Sequence, residues 1–234
     1  ISAIGTDPYA DILRQNLINL NIDSSLGLEI RGGKTSVYLC ILDSDGSLVT
    51  AVNDMEITRQ ITVSYLASIK TQIQESGIVV IDANIPESAI QYMAASFPEI
   101  ILIGDPVSGT KAKRMKASAG RFNILKPNVE ELEVLSGLSI TSQKEIEEAC
   151  NHLHAGGTTA LYVSLGSKGL FYSAADTDGT IIRGTVEPPK VVPENVSGGG
   201  DALTGALAYC YAHGYTPEEA AAFAVTAAAL TTET

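Results

Sequence analysis

Short apolar runs alternate with amphipathic stretches of helical length through most of this chain. The apolar runs predict β-strands at residues 78–82, 100–104, 122–125 and 160–165. Apolar residues at helical spacing predict helices between them, at 61–74, after Pro86, at 129–135 and at 143–154. Such alternation is typical of parallel strands with helices on both faces of the sheet. We therefore expect an α/β fold with a mostly parallel central sheet between two helical layers.

The ends of the chain and two hairpins depart from this alternation. Asp7-Pro8 begins a helix with a capping acid followed by proline, and Ile12, Leu13, Leu17 and Leu20 then recur at helical spacing. Residues 35–42 and 48–52 flank the turn-forming Asp43-Ser44-Asp45-Gly46, which predicts a hairpin. A second hairpin is expected at 169–186. Two alanine-rich helices are expected at 201–213 and 217–230.

Composition narrows the class of partner. The formal net charge of −12 disfavours binding to nucleic acid or to an anionic membrane, because either would need a basic surface. No apolar run approaches the ~18 residues of a membrane span. Cys40, Cys150 and Cys210 show no metal or redox spacing, which favours reduced, buried thiols in a cytoplasmic protein. Residues 1–4 resemble a strand inside a fold, so we expect that a further segment precedes them.

The segment Asn195-Val196-Ser197-Gly198-Gly199-Gly200-Asp201 joins a glycine run to the start of an apolar helix. Successive glycines let backbone N–H groups converge on one point, and a helix N-terminus adds unpaired N–H groups, so an anion is the natural occupant. Asp201 would repel a resting phosphate, which favours a general base that deprotonates a hydroxyl as it attacks a phosphoryl group. The alternative is a glycine-rich helix start with a first-turn acid that the helix dipole favours.

This segment, with the following Ala202-Leu203-Thr204-Gly205, resembles the signature of the ribokinase-like (PfkB) sugar and nucleoside kinases. Gly199 stands where that signature commonly has alanine. The resemblance implies that Asp201 is the catalytic base and that Gly198, Gly199 and Gly200 form the anion hole. It also implies one kinase domain over residues 1–234, with lid strands within about 32–53 over the sugar site. A sugar-binding Gly-Gly motif before residue 1 and part of the adenine site after residue 234 would then belong to the family pattern.

Two further motifs follow the order found in that family. Asn128 and Glu131, after Lys126-Pro127, match a signature whose residues organise Mg²⁺ and its waters beside ATP; retained water suits Mg²⁺, which dehydrates reluctantly. A capped helix N-terminus explains the same pair without any ligand. Ser164, Gly166, Ser167 and Gly169 resemble a turn at the nucleotide phosphates, whereas a glycine-bracketed turn between strands needs no ligand.

Three strings resemble the pseudouridine kinases within the family, namely Lys34-Thr35-Ser36-Val37-Tyr38, Ala51-Val52-Asn53-Asp54-Met55, and Asp105-Pro106-Val107-Ser108 with Lys111. The resemblance implies an ATP-dependent kinase that phosphorylates the 5′-hydroxyl of pseudouridine, with Thr35, Asn53, Asp54 and Asn84 around the ribose or the uracil edge. A turn after a strand, a surface acid and a solvated lysine are the alternatives for these strings. The basic residues Lys111, Lys113, Arg114 and Lys116 either meet a polyphosphate or form a solvated helix face.

Other functions stay open at this point. One is a kinase of the same family for another nucleoside or sugar, such as ribose, adenosine or fructose. Another is a catalytically silent nucleotide-binding regulator, although such a protein has no need of a base at Asp201. A dinucleotide oxidoreductase is disfavoured, because its glycine motif should follow the first strand. Exposed lid strands in such kinases often pair between subunits, so a homodimer is expected through them.

Overall fold

The computed structural model describes residues 1–43, 48–191 and 197–233. Its central sheet has six strands in the order β10-β9-β8-β7-β6-β5. These are β5 (Ile78–Asp82), β6 (Ile101–Asp105), β7 (Ile124–Leu125), β8 (Ala160–Ser164), β9 (Leu170–Ala175) and β10 (Ile181–Val186). The strands β5 to β8 are parallel, and β9 and β10 are added as antiparallel strands. The predicted, mostly parallel sheet is therefore confirmed.

Helices cover both faces of this sheet. They are α1 (Pro8–Asn19), α2 (Val63–Ser68), α3 (Lys70–Gln74), α4 (Glu87–Ser96), α5 (Gly109–Lys116), α6 (Val129–Ser136), α7 (Gln143–Gly156), α8 (Gly199–Ala212) and α9 (Pro217–Thr231). Alternate strand residues face opposite layers: Leu161 and Val163 belong to the core shared with α2 to α7, whereas Ala160 and Tyr162 pack with α8 and α9. The two cores give the expected three-layer α/β/α sandwich.

Two small sheets stand apart from the central one. The strands β1 (Ala3–Ile4) and β2 (Leu28–Glu29) pair in parallel. The strands β3 (Val37–Leu42) and β4 (Leu48–Asp54) form an antiparallel pair in the part of the chain predicted to be the lid. Of the turn predicted at Asp43-Ser44-Asp45-Gly46, the last three residues lie outside the described residues. Asn53 and Asp54 extend β4 beyond the predicted strand, and Asp54 is paired with Val37.

Several expectations need correction. The helix expected at 61–74 is divided into α2 and α3, because Ile69 leaves helical geometry with φ −110° and ψ 21°. A short 3₁₀ helix, Glu56–Gln60, precedes it. The helix α1 begins as expected, with Asp7 accepting the N–H of Ala10, but of its residues only Ala10 is buried. The predicted apolar stripe is largely exposed, since Ile12, Leu13 and Leu20 face solvent.

The cysteines also differ from the expectation at one position. Cys150 and Cys210 are buried free thiols, whereas Cys40 is exposed on β3, where the lid strands have open faces. Burial raises the pKa of the Cys150 thiol to about 12, which keeps it protonated and unreactive. Within the described ranges, none of the helices combines the length and the apolar character needed to cross a bilayer.

Candidate active site

The candidate site lies at the carboxyl ends of the parallel strands, where ligands bind in open α/β sheets. Asp82 ends β5, Asp105 ends β6 and Ser164 ends β8. Lys126 follows β7 directly, with its backbone N–H bonded to the carbonyl of Gly104. The N-terminal half of α8 meets this edge, because the hydroxyl of Thr204 lies 2.8 Å from Asp105 Oδ2. Sheet edge and helix N-terminus thus bring together residues far apart in sequence.

The glycine turn is the start of α8. Gly198 caps the helix in the left-handed region, with φ +86°, and Gly199 and Gly200 are its first residues, two positions before the predicted start. A methyl group added at Gly199 would have no neighbour closer than 3.6 Å, and one at Gly200 none closer than 3.4 Å. Packing against the described residues therefore does not exclude a side chain at either position. Asn195 and Val196 of the motif lie outside the described residues.

Asp201 is an exposed residue in the first turn of α8. Partial burial removes water from the carboxyl of Asp201 and raises its pKa, and the nearby carboxylates of Asp105 and Asp82 raise the pKa further. The ammonium of Lys126 acts in the opposite direction. A carboxylate with an elevated pKa that reaches solvent beside the first N–H groups of a helix, which have no intrahelical partners, has the character of a general base.

Asn128 and Glu131 form a reciprocal cap on α6. Asn128 Oδ1 accepts the N–H of Glu131 at 2.8 Å, and Glu131 Oε2 accepts the N–H of Asn128 at 2.9 Å. The amide of Asn128 also donates to Glu131 Oε1 at 3.0 Å. Glu131 is 3 % exposed, and this burial raises the pKa of its carboxyl. The capping alternative is thus present in the structure and accounts for part of this motif.

These oxygen donors also fit Mg²⁺, although they do not form a closed cage. Amide and carboxylate oxygens suit a hard cation that keeps much of its water shell. Both carboxylate oxygens of Glu131 already accept hydrogen bonds from Asn128, so a contact through water suits this pair better than direct ligation. Among the described residues, no group of three or more His, Cys, Asp or Glu side chains has the geometry of a metal site.

The turn after β8 lies beside this cap. Ser164 forms an isolated parallel bridge with Asn128, and its N–H donates to the carbonyl of Pro127 at 2.9 Å. Gly166 and Ser167 are exposed in the 3₁₀ turn Gly166–Lys168, and Gly166 has a φ of +60° with open space where a side chain would stand. Gly169 differs, because a methyl group there would lie 2.0 Å from the carbonyl oxygen of Val186. Packing alone therefore requires glycine at 169.

A second polar group lies between the lid and the sheet. One cleft of about 720 Å³, called the lid-side cleft below, is lined by Asn53, Asp54, Asn84 and Lys111. Three of the four residues predicted to bind the acceptor therefore lie together. Lys111 Nζ lies 2.5 Å from Asn84 Oδ1, and burial lowers the pKa of this lysine. This lysine is therefore not a simple solvated charge.

Thr35, the fourth predicted acceptor residue, serves the N-terminal part of the fold. It is 3 % exposed, its hydroxyl accepts the N–H of Gly5 at 3.0 Å, and its own N–H donates to Asp7 Oδ2 at 2.7 Å. Hydrogen bonds from the side chain and from the backbone N–H of Thr35 hold the pKa of the Asp7 carboxyl below its usual value. Thr35 is not among the residues that line the lid-side cleft.

Three residues near these groups make contacts that were not predicted from the sequence. Arg114 Nη1 donates to the carbonyls of Ala83 and Asn84 at 2.8 and 3.0 Å, which holds the loop that carries Asn84. Lys126 and Thr204 both contact Asp105. The available signal for Lys126 was a charged residue directly after the apolar Ile124-Leu125, where only a paired charge is stable on burial.

Comparison with known proteins shows the family and the fold of this chain. Residues 1–234 match the family described as "pfkB family carbohydrate kinase". The chain is 33 % identical to a pseudouridine kinase of Escherichia coli (strain K12) over 224 residues, which cover 96 % of this chain and 70 % of that protein. A ribokinase of Thermotoga maritima superposes with a TM-score of 0.83 at 24 % identity, covering 100 % of this chain and 74 % of that one. The ribokinase of Arabidopsis thaliana complexed with ribose and ATP gives a TM-score of 0.78 at 22 % identity, with 100 % and 75 % covered.

Proposed function

Because the chain belongs to the pfkB family of carbohydrate kinases, we propose that it transfers the terminal phosphoryl group of ATP to the 5′-hydroxyl of pseudouridine. Family membership makes it a phosphotransferase, and the acceptor is the part that is proposed. Similarity to a pseudouridine kinase over 96 % of the chain supports this acceptor. The products are pseudouridine 5′-phosphate and ADP.

The observation that carries the proposal is the position of Asp201 beside the glycine turn. The carboxylate reaches solvent in the first turn of α8, where the helix has N–H groups without intrahelical partners. Gly199 and Gly200 put no side chain of their own on the backbone of this turn, and added methyl groups would meet only ordinary contacts, at 3.6 Å and 3.4 Å. An anion can therefore approach the backbone closely while an acceptor hydroxyl stands at the carboxylate.

The chemical step needs only a base and an anion site from the protein. Asp201 accepts the proton of the acceptor hydroxyl as that oxygen forms a bond to the terminal phosphorus of ATP. The bond from this phosphorus to the bridging oxygen breaks, and the electron pair leaves with ADP. The N–H groups of Gly198, Gly199 and Gly200 stabilise the negative charge on the transferred group, which is the main contribution that a protein makes to such a reaction.

The nucleotide side is proposed at the neighbouring strand ends. Ser164, Gly166 and Ser167 would contact the phosphates of ATP, and Gly169 shapes the same turn. Asn128 and Glu131 would hold Mg²⁺ through its waters, where the ion neutralises phosphate charge. Their mutual hydrogen bonds fix both side chains in one orientation, so the pair is organised before any ligand binds.

The acceptor side is proposed at the cleft between the lid and the sheet. Pseudouridine has a carbon–carbon glycosidic bond, so its uracil ring carries one N–H donor more than that of uridine. Asp54 supplies a carboxylate that can accept from such a donor, and Asn53, Asn84 and Lys111 supply amide and ammonium groups for carbonyls or ribose hydroxyls. Thr35 would act indirectly, because its hydrogen bonds hold Gly5 and the start of α1.

The state of the protein in the cell is part of the same proposal. A nucleoside is a small cytoplasmic metabolite, and the charge of −12 disfavours nucleic acid and anionic membranes as partners. The lid strands expose Tyr38, Leu39, Ile41, Val49 and Val52, which favours a homodimer through this sheet. Sedimentation of the wild type and of the Leu39→Lys/Val52→Lys variant tests this homodimer. We expect a dimer for the wild type and a monomer for the variant, and a monomeric wild type would exclude pairing through the lid strands.

ADP release by the full-length protein with MgATP tests the function, with pseudouridine, uridine, adenosine, ribose and fructose as acceptors. We expect selectivity for pseudouridine. Asp201→Asn is expected to lower kcat by several powers of ten, since it removes the base, while ATP binding measured by calorimetry is retained.

The other outcomes separate the alternatives. Turnover on another acceptor would support the assignment as a kinase and reject the lid-side cleft as a pseudouridine site. Retained turnover in Asp201→Asn would remove this residue from the role of base. Binding of ATP without turnover on any acceptor would favour a nucleotide-binding regulator over an enzyme of this panel.

A further inference from the structure

Beneath the glycine turn lies a buried ion pair that the chemistry above does not use. Lys126 Nζ and Asp105 Oδ2 are 3.0 Å apart, with side chains 8 % and 7 % exposed. Burying two charges is expensive, and such pairs are retained only where geometry and further hydrogen bonds compensate the lost hydration. The location of this pair, at the ends of β6 and β7, is the edge of the sheet where α8 begins.

The carboxylate of Asp105 joins three separate segments. Its Oδ2 receives Lys126 after β7 and the hydroxyl of Thr204 on α8, at 2.8 Å. Its Oδ1 accepts the backbone N–H of Val107 at 3.0 Å. Both oxygens are thus occupied by groups from different parts of the chain, one of them 99 residues away.

The backbone beside Asp105 is strained. Val107 has a φ of +66°, a conformation that is an outlier for a β-branched residue. Such strain persists only where surrounding contacts determine it, and it concentrates at functional sites. The hydrogen bond from Val107 to Asp105 is one of those contacts, so the same carboxylate holds the strained turn and the helix start.

The second end of the network reaches the catalytic turn. Thr204 lies three residues after Asp201, one helical turn along α8 on the same side. Its hydroxyl is also 3.0 Å from the carbonyl of Gly200. Lys126 Nζ would be the nearest atom, at 3.4 Å, to a methyl group added at Gly200. The network therefore contacts the backbone of Gly200, the residue directly before the proposed base Asp201.

We propose that Asp105, with Lys126 and Thr204, is a positioning network that fixes the first turn of α8 against the sheet and so places Asp201 for proton transfer. The inference rests on the proposed function for the chemistry of Asp201, and on the buried contacts alone for the position of the helix. Asp105, Lys126 and Thr204 are positioning residues here and touch no reacting atom.

Thr204→Val tests the network, because valine keeps the shape of threonine and removes its hydroxyl. Since a displacement of about 1 Å is enough for such a loss, we expect kcat to fall roughly tenfold to a hundredfold while KM for ATP changes by less than about threefold. Thr204→Ser, which keeps the hydroxyl, is expected to retain most of the wild-type kcat. Hydrogen exchange at the amide of Ala202, which donates to the carbonyl of Gly198, is expected to be faster in Thr204→Val.

Thr158→Val is the matched control. Thr158 is 2 % exposed and its hydroxyl donates to the carbonyl of Ala119 at 3.0 Å, before the start of β8 and so at the opposite end of the sheet. We expect a comparable fall in thermal stability with kcat unchanged. An equal fall of kcat in both variants would overturn the proposal, since general loss of stability would then explain it. Wild-type kcat in Thr204→Val would overturn it as well.

A double variant covers the case in which Thr204→Val does not fold. Asp105→Asn/Lys126→Met removes the ion pair without leaving a single buried charge unpaired. We expect it to fold, to exchange faster at Ala202 and to lose kcat; a folded double variant with wild-type kcat and exchange would overturn the network.

Exchange at Ala202 is measured without acceptor, so it decides the position of the helix even if pseudouridine is not the acceptor. The kinetic measurement then uses whichever acceptor the wild-type protein phosphorylates.

Discussion

The carboxyl of Asp201 has to be ionised before it can accept a proton from an acceptor hydroxyl. Partial loss of solvation and the carboxylates of Asp105 and Asp82 raise its pKa, and Lys126 offsets part of that rise. We therefore expect kcat/KM, which reports the free enzyme, to fall at acid pH as Asp201 becomes protonated. The apparent pKa of this fall should lie above the ordinary 3.8 of aspartate. The measurement is a pH profile at subsaturating acceptor.

The direction of the shift can be tested at Asp82, which is exposed at the end of β5. Asp82→Asn removes a negative charge that raises the pKa of Asp201, so the acid limb should move to lower pH. Asp178→Asn, in the turn between β9 and β10 at the far end of the sheet, should leave the limb in place. A limb that does not move in Asp82→Asn would assign it to another group.

Glu131 allows the cap of α6 to be separated from a role at Mg²⁺. Glutamine keeps one oxygen that can accept the N–H of Asn128, so Glu131→Gln should preserve the capping box of α6. It should lose the hydrogen bond from the side-chain amide of Asn128 to Oε1, at a cost in stability of about 1–3 kcal/mol. Removal of the charge should raise the Mg²⁺ concentration needed for half-maximal activity by roughly tenfold, as loss of an outer-shell partner does elsewhere. Initial rates at varied Mg²⁺ and fixed ATP measure it.

The chain offers a matched control for this change. Thr216 and Glu219 form the same reciprocal cap on α9, with Glu219 exposed and outside the candidate site. Glu219→Gln should leave the Mg²⁺ requirement unchanged. If both variants alter it equally, or if neither does, Glu131 acts only as a helix cap.

The first turn of α8 begins with two glycines, and packing requires glycine at neither of them. At Gly199 an added methyl group meets nothing closer than 3.6 Å, so Gly199→Ala should raise the free energy of unfolding by up to about 1 kcal/mol and retain activity. At Gly200 the methyl group would lie 3.4 Å from Lys126 Nζ. This is an ordinary van der Waals contact, so Gly200→Ala should also fold without loss of stability and retain kcat.

Thermal unfolding and kcat, measured together on both alanine variants, check this expectation. Loss of activity in Gly199→Ala without loss of stability would show that the bound anion lies so close to the backbone of residue 199 that no methyl group fits there. Loss of kcat in Gly200→Ala without loss of stability would show that the methyl group disturbs either Lys126 or the anion at this turn.

Elements with a clear period were predictable from the sequence, and those governed by distant contacts were not. The strands β5, β6 and β8 follow apolar runs and were predicted to within about one residue, since burial on both faces requires such runs. The break between α2 and α3 at Ile69 has no proline or glycine to indicate it. The start of α8 was predicted late, because glycine has a low helix propensity.

At the scale of the whole molecule, the two sides of the candidate site differ in how far the sequence could show them. The proposed nucleotide side consists of local motifs, such as Asn128 with Glu131, whose spacing alone fixes their contact. The contact of Asp105 with Thr204 joins residues 99 positions apart, and no local pattern encodes it. Asn53 and Lys111 share a cleft only because the lid strand β4 ends beside the carboxyl edge of the sheet.

This arrangement predicts which parts of the molecule respond to each substrate. If the acceptor binds between lid and sheet, pseudouridine should slow hydrogen exchange in peptides that contain Asn53 to Met55 and Asn84. A non-hydrolysable ATP analogue should instead protect Asn128, Ser164 and the start of α8. The turn at Asp176 to Gly179, at the opposite end of the sheet, is the internal control. Protection by pseudouridine at the nucleotide side alone would place the acceptor away from the lid, and it would reject Asp54 and Asn84 as its ligands while leaving Asp201 as the base.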